Sequence, residues 1–167
     1  PWPTSTLLPM LLSLLAAASL SALDFHPLPN TLSQIEALRQ LYTATNGVTW
    51  EEKMNEGWMK VERGLGSECA WDGVECDPEM NVIGIDLSTR GLRGTLPPEM
   101  VIKTLKYLHV DDNAMLSGTV SADLRRMDDL QTLFLRRTKL SGTLPDELIT
   151  SLRTLREFTY GKTRISG

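Results

Sequence analysis

The sequence has little of what a metal, nucleic-acid or phosphate-binding protein needs. Its 167 residues include only two cysteines and two histidines, which leaves too few ligands for a zinc cluster. The formal net charge of −4 argues against general nucleic-acid binding, which requires a basic stripe that neutralises phosphates. No segment matches a glycine-rich phosphate loop. We therefore expect no cofactor, no bound metal and no nucleic-acid partner.

The N-terminal segment lacks an apolar run long enough to span a bilayer. Residues 1–23 carry no charged side chain, and their apolar run, 7–18, is interrupted by Pro9 and Ser13. The run is about a dozen residues long, whereas a membrane-spanning helix needs roughly 20. Small residues follow it, which is typical of a secretory signal peptide, with an uncleaved N-terminal anchor as the competing interpretation. Cleavage is expected near Ala18, Ser21 or Ala22.

An amphipathic helix is predicted after this segment. Residues 24–30 contain two prolines and predict an extended linker. Ser33 and Glu36 form a capping-box pattern that predicts the start of the helix. Asn46 and Gly47 predict its end, because both tolerate the left-handed conformation that terminates helices. Its apolar face is formed by Ile35, Leu38, Leu41 and Tyr42.

The segment 48–77 has no regular periodicity and holds both cysteines. In an exported protein, Cys69 and Cys76 would close a small loop, which stabilises a fold by about 2–3 kcal/mol. The alternative is a redox or metal pair, but the spacing does not match a Cys-x-x-Cys motif and no further ligands lie nearby. Three tryptophans of the segment predict a miniature core beside the loop, with a sugar-stacking platform as the alternative. They are Trp50, Trp58 and Trp71.

A repeat dominates the second half of the chain. Gly94, Gly118, Gly142 and Gly167 follow one another at intervals of 24, 24 and 25 residues, obtained by subtracting their numbers. Apolar residues recur at fixed offsets before each glycine, which predicts a short strand and a return turn in every unit. A single unit cannot bury its own inward residues, so the units must stack. The predicted inward positions are Val82, Ile85, Leu87, Leu105, Leu108, Val110, Leu130, Leu133, Leu135, Leu155, Phe158 and Tyr160.

The repeat signature resembles the plant-type subclass of the leucine-rich-repeat family. It reads Arg-Gly-Thr-Leu-Pro at 93–97, Ser-Gly-Thr-Val-Ser at 117–121 and Ser-Gly-Thr-Leu-Pro at 141–145. The upstream helix, the tryptophans and the segment 69–76 are similar to the N-terminal cap of that subclass. The resemblance implies an α/β solenoid: a right-handed horseshoe segment with short parallel strands on the concave face and a helical, disulfide-closed cap. The expected divisions are signal peptide 1–23, linker 24–30, cap 31–81, and repeats 82–167, of which three are full and one is truncated.

The chain departs from this family at the turns of the repeats. The family's turn asparagine, whose side chain bonds the backbone, is matched by Asn113 alone, while Arg90, Thr138 and Thr163 stand at the other places. Ser121 replaces a proline in the second repeat, and the segments between turn and next strand differ in length. We expect a weakened turn ladder in which threonine still donates and accepts, and we expect convex loops or short helical turns to absorb the length differences.

Residues between the buried strand positions are expected on the concave face, following the alternation of a strand. Because neighbouring strands lie about 4.8 Å apart, Asp111 and Asp112 are predicted beside Arg136 and Arg137. One interpretation is a cross-strand charge ladder worth about 0.2–1 kcal/mol per pair; the other is a recognition patch for an acidic or glycan ligand, and both can hold together. The predicted ligand-binding residues are Tyr107, His109, Asp111, Asp112, Phe134, Arg136 and Arg137.

Catalysis is not expected from these residues. His109 is close to two aspartates in sequence, but all three would lie on an open sheet without a cleft or an identified nucleophile. The resemblance implies instead that an exported protein, secreted or at the cell surface, recognises a protein, peptide or glycan. A receptor-like ectodomain is the preferred hypothesis, with a membrane reached only through the leader or a downstream span. The alternatives are a secreted inhibitor of a foreign hydrolase and a structural wall or adhesion protein.

Overall fold

The computed structural model describes residues 30–50, 57–58, 67–151 and 153–166. The predicted signal peptide and residues 24–29 of the predicted linker lie outside the described residues. The helices are α1 (Asn30–Ala44) and α2 (Asp146–Ser151), with 3-10 helices at Gly47–Thr49, Ser67–Ala70 and Ala122–Arg126. The strands are β1 (Val74–Cys76), β2 (Val82–Asp86), β3 (Arg93–Thr95), β4 (Tyr107–His109), β5 (Met115–Thr119), β6 (Thr132–Phe134), β7 (Lys139–Thr143), β8 (Glu157–Thr159) and β9 (Arg164–Ser166).

Helix α1 begins earlier and ends where the sequence predicts. It starts at Asn30, so the predicted N-cap at Ser33 and the assignment of residue 30 to the linker are wrong. The prolines of this region end at residue 29, and nothing between 30 and 33 opposes a helix. The end is confirmed, because Asn46 adopts the left-handed conformation with φ of 53°. The apolar face is confirmed by Leu38 and Leu41, which are fully buried.

The cap is a small aromatic core closed by a disulfide. Cys69 and Cys76 are bonded, with their Cα atoms 5.5 Å apart, which confirms the structural disulfide. The three tryptophans predicted for the miniature core are 2–5% exposed, so the alternative of a sugar-stacking platform is wrong. Trp58 lies at the centre of the cluster, with ring centroids 5.0 Å from those of Trp50 and Trp71. Its indole N–H donates to the carbonyl of Asp72, so burial leaves this N–H paired.

The predicted repeat strands form one sheet. Within the described residues its order is β1-β2-β4-β6-β8, with β1 antiparallel to β2 and the remaining pairs parallel. The inward positions of the first three repeats are 0–1% exposed, as predicted from the leucine period. The positions of the fourth repeat are less covered, since Leu155 and Phe158 are half-buried and Tyr160 is 36% exposed.

The structure has a second sheet, which the sequence analysis did not predict. Its order is β3-β5-β7-β9, and all of its pairs are parallel. These strands hold the Ser-Gly-Thr signature, which lacks the apolar alternation of a strand and contains a glycine, a residue depleted in strands. Gly94 and Gly118 have φ of 111° and 91°, and a Cβ at Gly94 would lie 2.2 Å from the carbonyl oxygen of Ala44. Only glycine fits that position.

The convex segments absorb the differences in repeat length, as predicted. Ser121 precedes the 3-10 helix Ala122–Arg126, and its hydroxyl accepts the backbone N–H of Asp123 at 3.1 Å. It therefore caps this helix at the place where the third repeat has Pro145 before α2. Both residues favour the start of a helical turn, Ser121 by accepting a backbone N–H and Pro145 by restricting the backbone φ angle.

Candidate ligand-binding face

The exposed side of the first sheet aligns residues from successive repeats. Tyr107 pairs with Gly84 on one side and Thr132 on the other, and His109 pairs with Asp86 and Phe134. Strands β4 and β6 alternate half-buried, buried and half-buried residues, so the residues between the leucines face away from the core. The outward orientation predicted for these residues is confirmed, and their place on a concave face stays a prediction.

Three rings on this face are in contact, two on β4 and one on the neighbouring β6, and we name Tyr107, His109 and Phe134 the aromatic ribbon. The centroids of His109 and Phe134 are 4.3 Å apart with a 10° angle between planes, and those of Tyr107 and His109 are 5.1 Å apart. All three are half-buried. A Cβ at Gly84 would lie 2.0 Å from the Tyr107 ring. The glycine on β2 therefore leaves the space that the ring from β4 occupies. The result is a continuous ring surface in the middle of the sheet.

Tyr107 also joins the repeats to the cap. Its hydroxyl donates to the Glu75 carboxylate on β1. The pKa of Tyr107 is raised, first by burial and then by the hydrogen bond to Glu75 and the charges of Glu75 and Asp86. The phenol therefore stays protonated, and its polar end is engaged within the protein.

The predicted charge ladder is confirmed, and its two pairs differ in character. The Asp111 carboxylate is buried and accepts the backbone N–H of Arg136 at 2.6 Å, while its distance to the Arg136 side-chain Nε is 3.7 Å. The Asp112 carboxylate accepts the Arg137 guanidinium at 2.8 Å, and this hydrogen bond is the main reason that the pKa of Arg137 is raised. Asp111 thus orders the backbone, whereas the Arg136 guanidinium is held only loosely.

A small cavity beside these arginines was missed by the sequence analysis as a site. It has a volume of about 130 Å³ and is lined by Arg136, Arg137, Gly161 and Lys162, and we name it the Gly161 notch. Arg137 and Lys162 both have left-handed backbones, with φ of 52° and 62°, at the turns that follow β6 and β8. Repeat alignment places these residues in adjacent columns, but it does not reveal a cavity between them. The one available signal in the sequence was Gly161, which stands where the other repeats carry larger residues.

Two further observations concern what the described residues hold. Across residues 30–50, 57–58, 67–151 and 153–166, no three His, Cys, Asp or Glu side chains come together as a metal site. Within the same part of the chain, no helix is long and apolar enough to cross a membrane.

Comparison with curated proteins relates the chain to plant receptors. It is 38% identical over 93 residues to receptor-like protein kinase 7 of Arabidopsis thaliana, a match that covers 54% of this chain and 9% of that protein. The chain spans about a tenth of the length of curated relatives that it matches, since three Arabidopsis thaliana proteins are covered over 9–10% of their own length. No family model matches the chain.

Solved structures with a similar fold include the leucine-rich-repeat ectodomain of the Arabidopsis thaliana receptor kinase SOBIR1, with a TM-score of 0.63 at 25% identity, covering 81% of this chain and 69% of that one. The PEPR1–AtPEP1 complex superposes with a TM-score of 0.73 at 25% identity, covering 81% of this chain and 18% of that one. The Arabidopsis receptor kinase HAESA, solved with the peptide hormone IDA and the co-receptor SERK1, gives 0.67 at 25%, covering 80% and 22%. A plant ice-binding protein gives 0.67 at 24%, covering 79% and 41%. This last likeness concerns the fold alone, so function has to be argued from the exposed side chains.

Proposed function

We propose that this chain, a plant-type leucine-rich-repeat solenoid with its N-terminal cap, is a receptor-like segment that binds a peptide or protein ligand on its concave face. The observation that carries the proposal is the aromatic ribbon, a half-buried ring surface at the centre of the sheet. Aromatic and arginine side chains dominate the energy of protein interfaces, and here Arg136 and Arg137 flank the rings. The Asp112 carboxylate holds the Arg137 guanidinium, and the Asp111 carboxylate fixes the backbone of Arg136.

A peptide is favoured over a glycan by the relatives. HAESA is solved with a peptide hormone, and its structure superposes on 80% of this chain. A sheet of exposed polar and aromatic positions also suits an extended peptide, whose side chains can settle between neighbouring strands. A glycan, bound by stacking on Tyr107 or Phe134, remains the second class of ligand.

We further propose that the chain belongs to an exported protein, secreted or at the cell surface. The Cys69–Cys76 disulfide supports this, because such bonds persist in oxidising compartments. Residues 1–23 would then act as the signal peptide, 31–81 as the cap and 82–167 as the repeats. The two alternatives make different demands: a hydrolase inhibitor would bind a folded enzyme and no short peptide, and a structural protein would bind neither.

The proposal is tested by selecting peptides from a random display library on the immobilised chain and measuring their affinity by calorimetry. Phe134→Ala should raise the Kd about tenfold, because it removes the ring that stacks on His109 at one end of the ribbon. Met115→Ala is the matched control, since Met115 is 48% exposed on the second sheet. It should leave the Kd within about twofold. Equal affinities for both variants would place the binding site elsewhere.

A further inference from the structure

The glycine at position 161 is not required by the backbone. Its φ lies outside the left-handed region, and an added Cβ would meet no atom within 4 Å. The other glycines described in the chain are each explained by a positive φ or by a close contact, as at Gly47 and Gly84, which face tyrosine rings. The fold would therefore accept a side chain at Gly161, and its absence is what opens the notch.

The repeats show what this position can hold. In the alignment of the units, the residues equivalent to Gly161 are Ser88, Asp111 and Arg136. Two of them carry charge, and the Asp111 carboxylate fills its place and accepts the backbone N–H of Arg136 in the next repeat. At Gly161 the equivalent space is empty and is bordered by cations.

The charges around the notch are unbalanced. Its lining has three cationic side chains and no acid. Asp112 pairs with Arg137, but Arg136 is held by one long contact to Asp111, and no carboxylate of the described residues pairs with Lys162. Arg136 and Arg137 are 53% and 56% exposed, so both guanidinium groups can be reached from solvent. Guanidinium and ammonium groups in this arrangement favour an oxyanion, which they can bind with several N–H donors.

We propose that the Gly161 notch binds a compact oxyanion, a carboxylate, sulfate or phosphate group carried by the ligand of the concave face. The inference rests on the proposed function for the source of that group. Arg136 follows Phe134 by two residues, roughly 7 Å along an extended chain, so one ligand can cover the ribbon and reach the notch. The ribbon supplies apolar contact area, and the notch fixes the orientation of the ligand.

The notch is tested without the unidentified ligand, by titrating the isotope-labelled chain with inorganic probes and following its backbone amide resonances. Sodium sulfate, phosphate and acetate are compared with sodium chloride at equal ionic strength. We expect saturable shifts at Gly161 and Lys162, with a Kd for the best oxyanion about tenfold below that for chloride. Preference for sulfate or phosphate would indicate a tetrahedral ester on the ligand, and preference for acetate would indicate a carboxylate. Equal shifts with chloride would overturn the proposal.

Two variants and a control separate the notch from general surface charge. Gly161→Leu fills the notch without changing any charge, and Lys162→Gln removes one cation from its lining. Each should weaken oxyanion binding about fivefold or more, while Lys103→Gln, at an exposed lysine outside the notch, should not. Thermal melting checks that each variant folds. If Gly161→Leu does not fold, the test rests on Lys162→Gln. Unchanged binding in a folded Lys162→Gln would refute the notch, whatever the outcome of the peptide selection.

Discussion

Asn113 should be the most costly turn residue to remove, because it ties two repeats together. Its side chain is fully buried. The amide Nδ2 donates to the carbonyls of Leu87, Val110 and Asp111 at 2.8–3.1 Å, and Oδ1 accepts the backbone N–H of Leu92 at 3.0 Å. Leu87 and Leu92 belong to the preceding repeat. The equivalent Thr138 bonds only within its own turn, donating to Leu135 and accepting from Leu140.

The size of the effect follows from the groups left unpaired. Asn113→Ala strands the N–H of Leu92 and the carbonyls of Leu87 and Val110, while the carbonyl of Asp111 keeps the N–H of Thr89. At about 1 kcal/mol for each lost bond, the free energy of unfolding should fall by about 3 kcal/mol. Thr138→Ala should cost about 1 kcal/mol, because its second bond is long at 3.4 Å.

Urea denaturation followed by circular dichroism measures both losses. Asn113→Thr should fall between the two alanine variants, since threonine can bond within the turn but cannot reach the preceding repeat. This matches the sequence-based expectation that threonine only partly replaces the turn asparagine. If Asn113→Ala and Thr138→Ala destabilise the chain equally, the inter-repeat bonds do not stabilise it as described.

Two further predictions concern the cap. Cys69→Ser should lower the free energy of unfolding by about 2–3 kcal/mol under oxidising conditions, and an unchanged melting temperature would contradict a stabilising disulfide. Glu68 is fully buried with neither carboxylate oxygen bonded, and burial raises its pKa. Because its folded pKa lies above the unfolded value, stability is lost as pH rises through the folded pKa. Glu68→Gln should therefore melt higher than the parent at pH 7, with the gap closing on acidification below the ordinary glutamate pKa of 4.5. A gap that persists there would exclude titration of Glu68 as the cause.

The repeat sheet could be predicted because its signals are periodic. Leucines at fixed offsets identified the core, and the spacing between neighbouring strands was enough to predict that Asp112 lies beside Arg137. The second sheet could not be predicted, because its strands depend on glycines with positive φ and on backbone pairing between units, which leave no apolar alternation. The early start of α1 was missed because its first residues, from Asn30 onward, have no strong helix propensity and resemble the residues of a linker.

The candidate site divides in the same way. The rings of Tyr107, His109 and Phe134 were found by counting between leucines. Their contacts depend on Gly84 and on Glu75 of the cap, which reaches Tyr107 through an antiparallel strand outside the repeat pattern. Buried polar residues such as Glu68 and the empty space at Gly161 become visible only when the chain is folded.

The central claim, that ligand binds on the aromatic ribbon, is tested most directly by proton contacts in a complex with a selected peptide. Intermolecular nuclear Overhauser effects should connect peptide protons to the rings of His109 and Phe134. Contacts confined to Met115 or Thr119 of the second sheet, with none to those rings, would contradict the account.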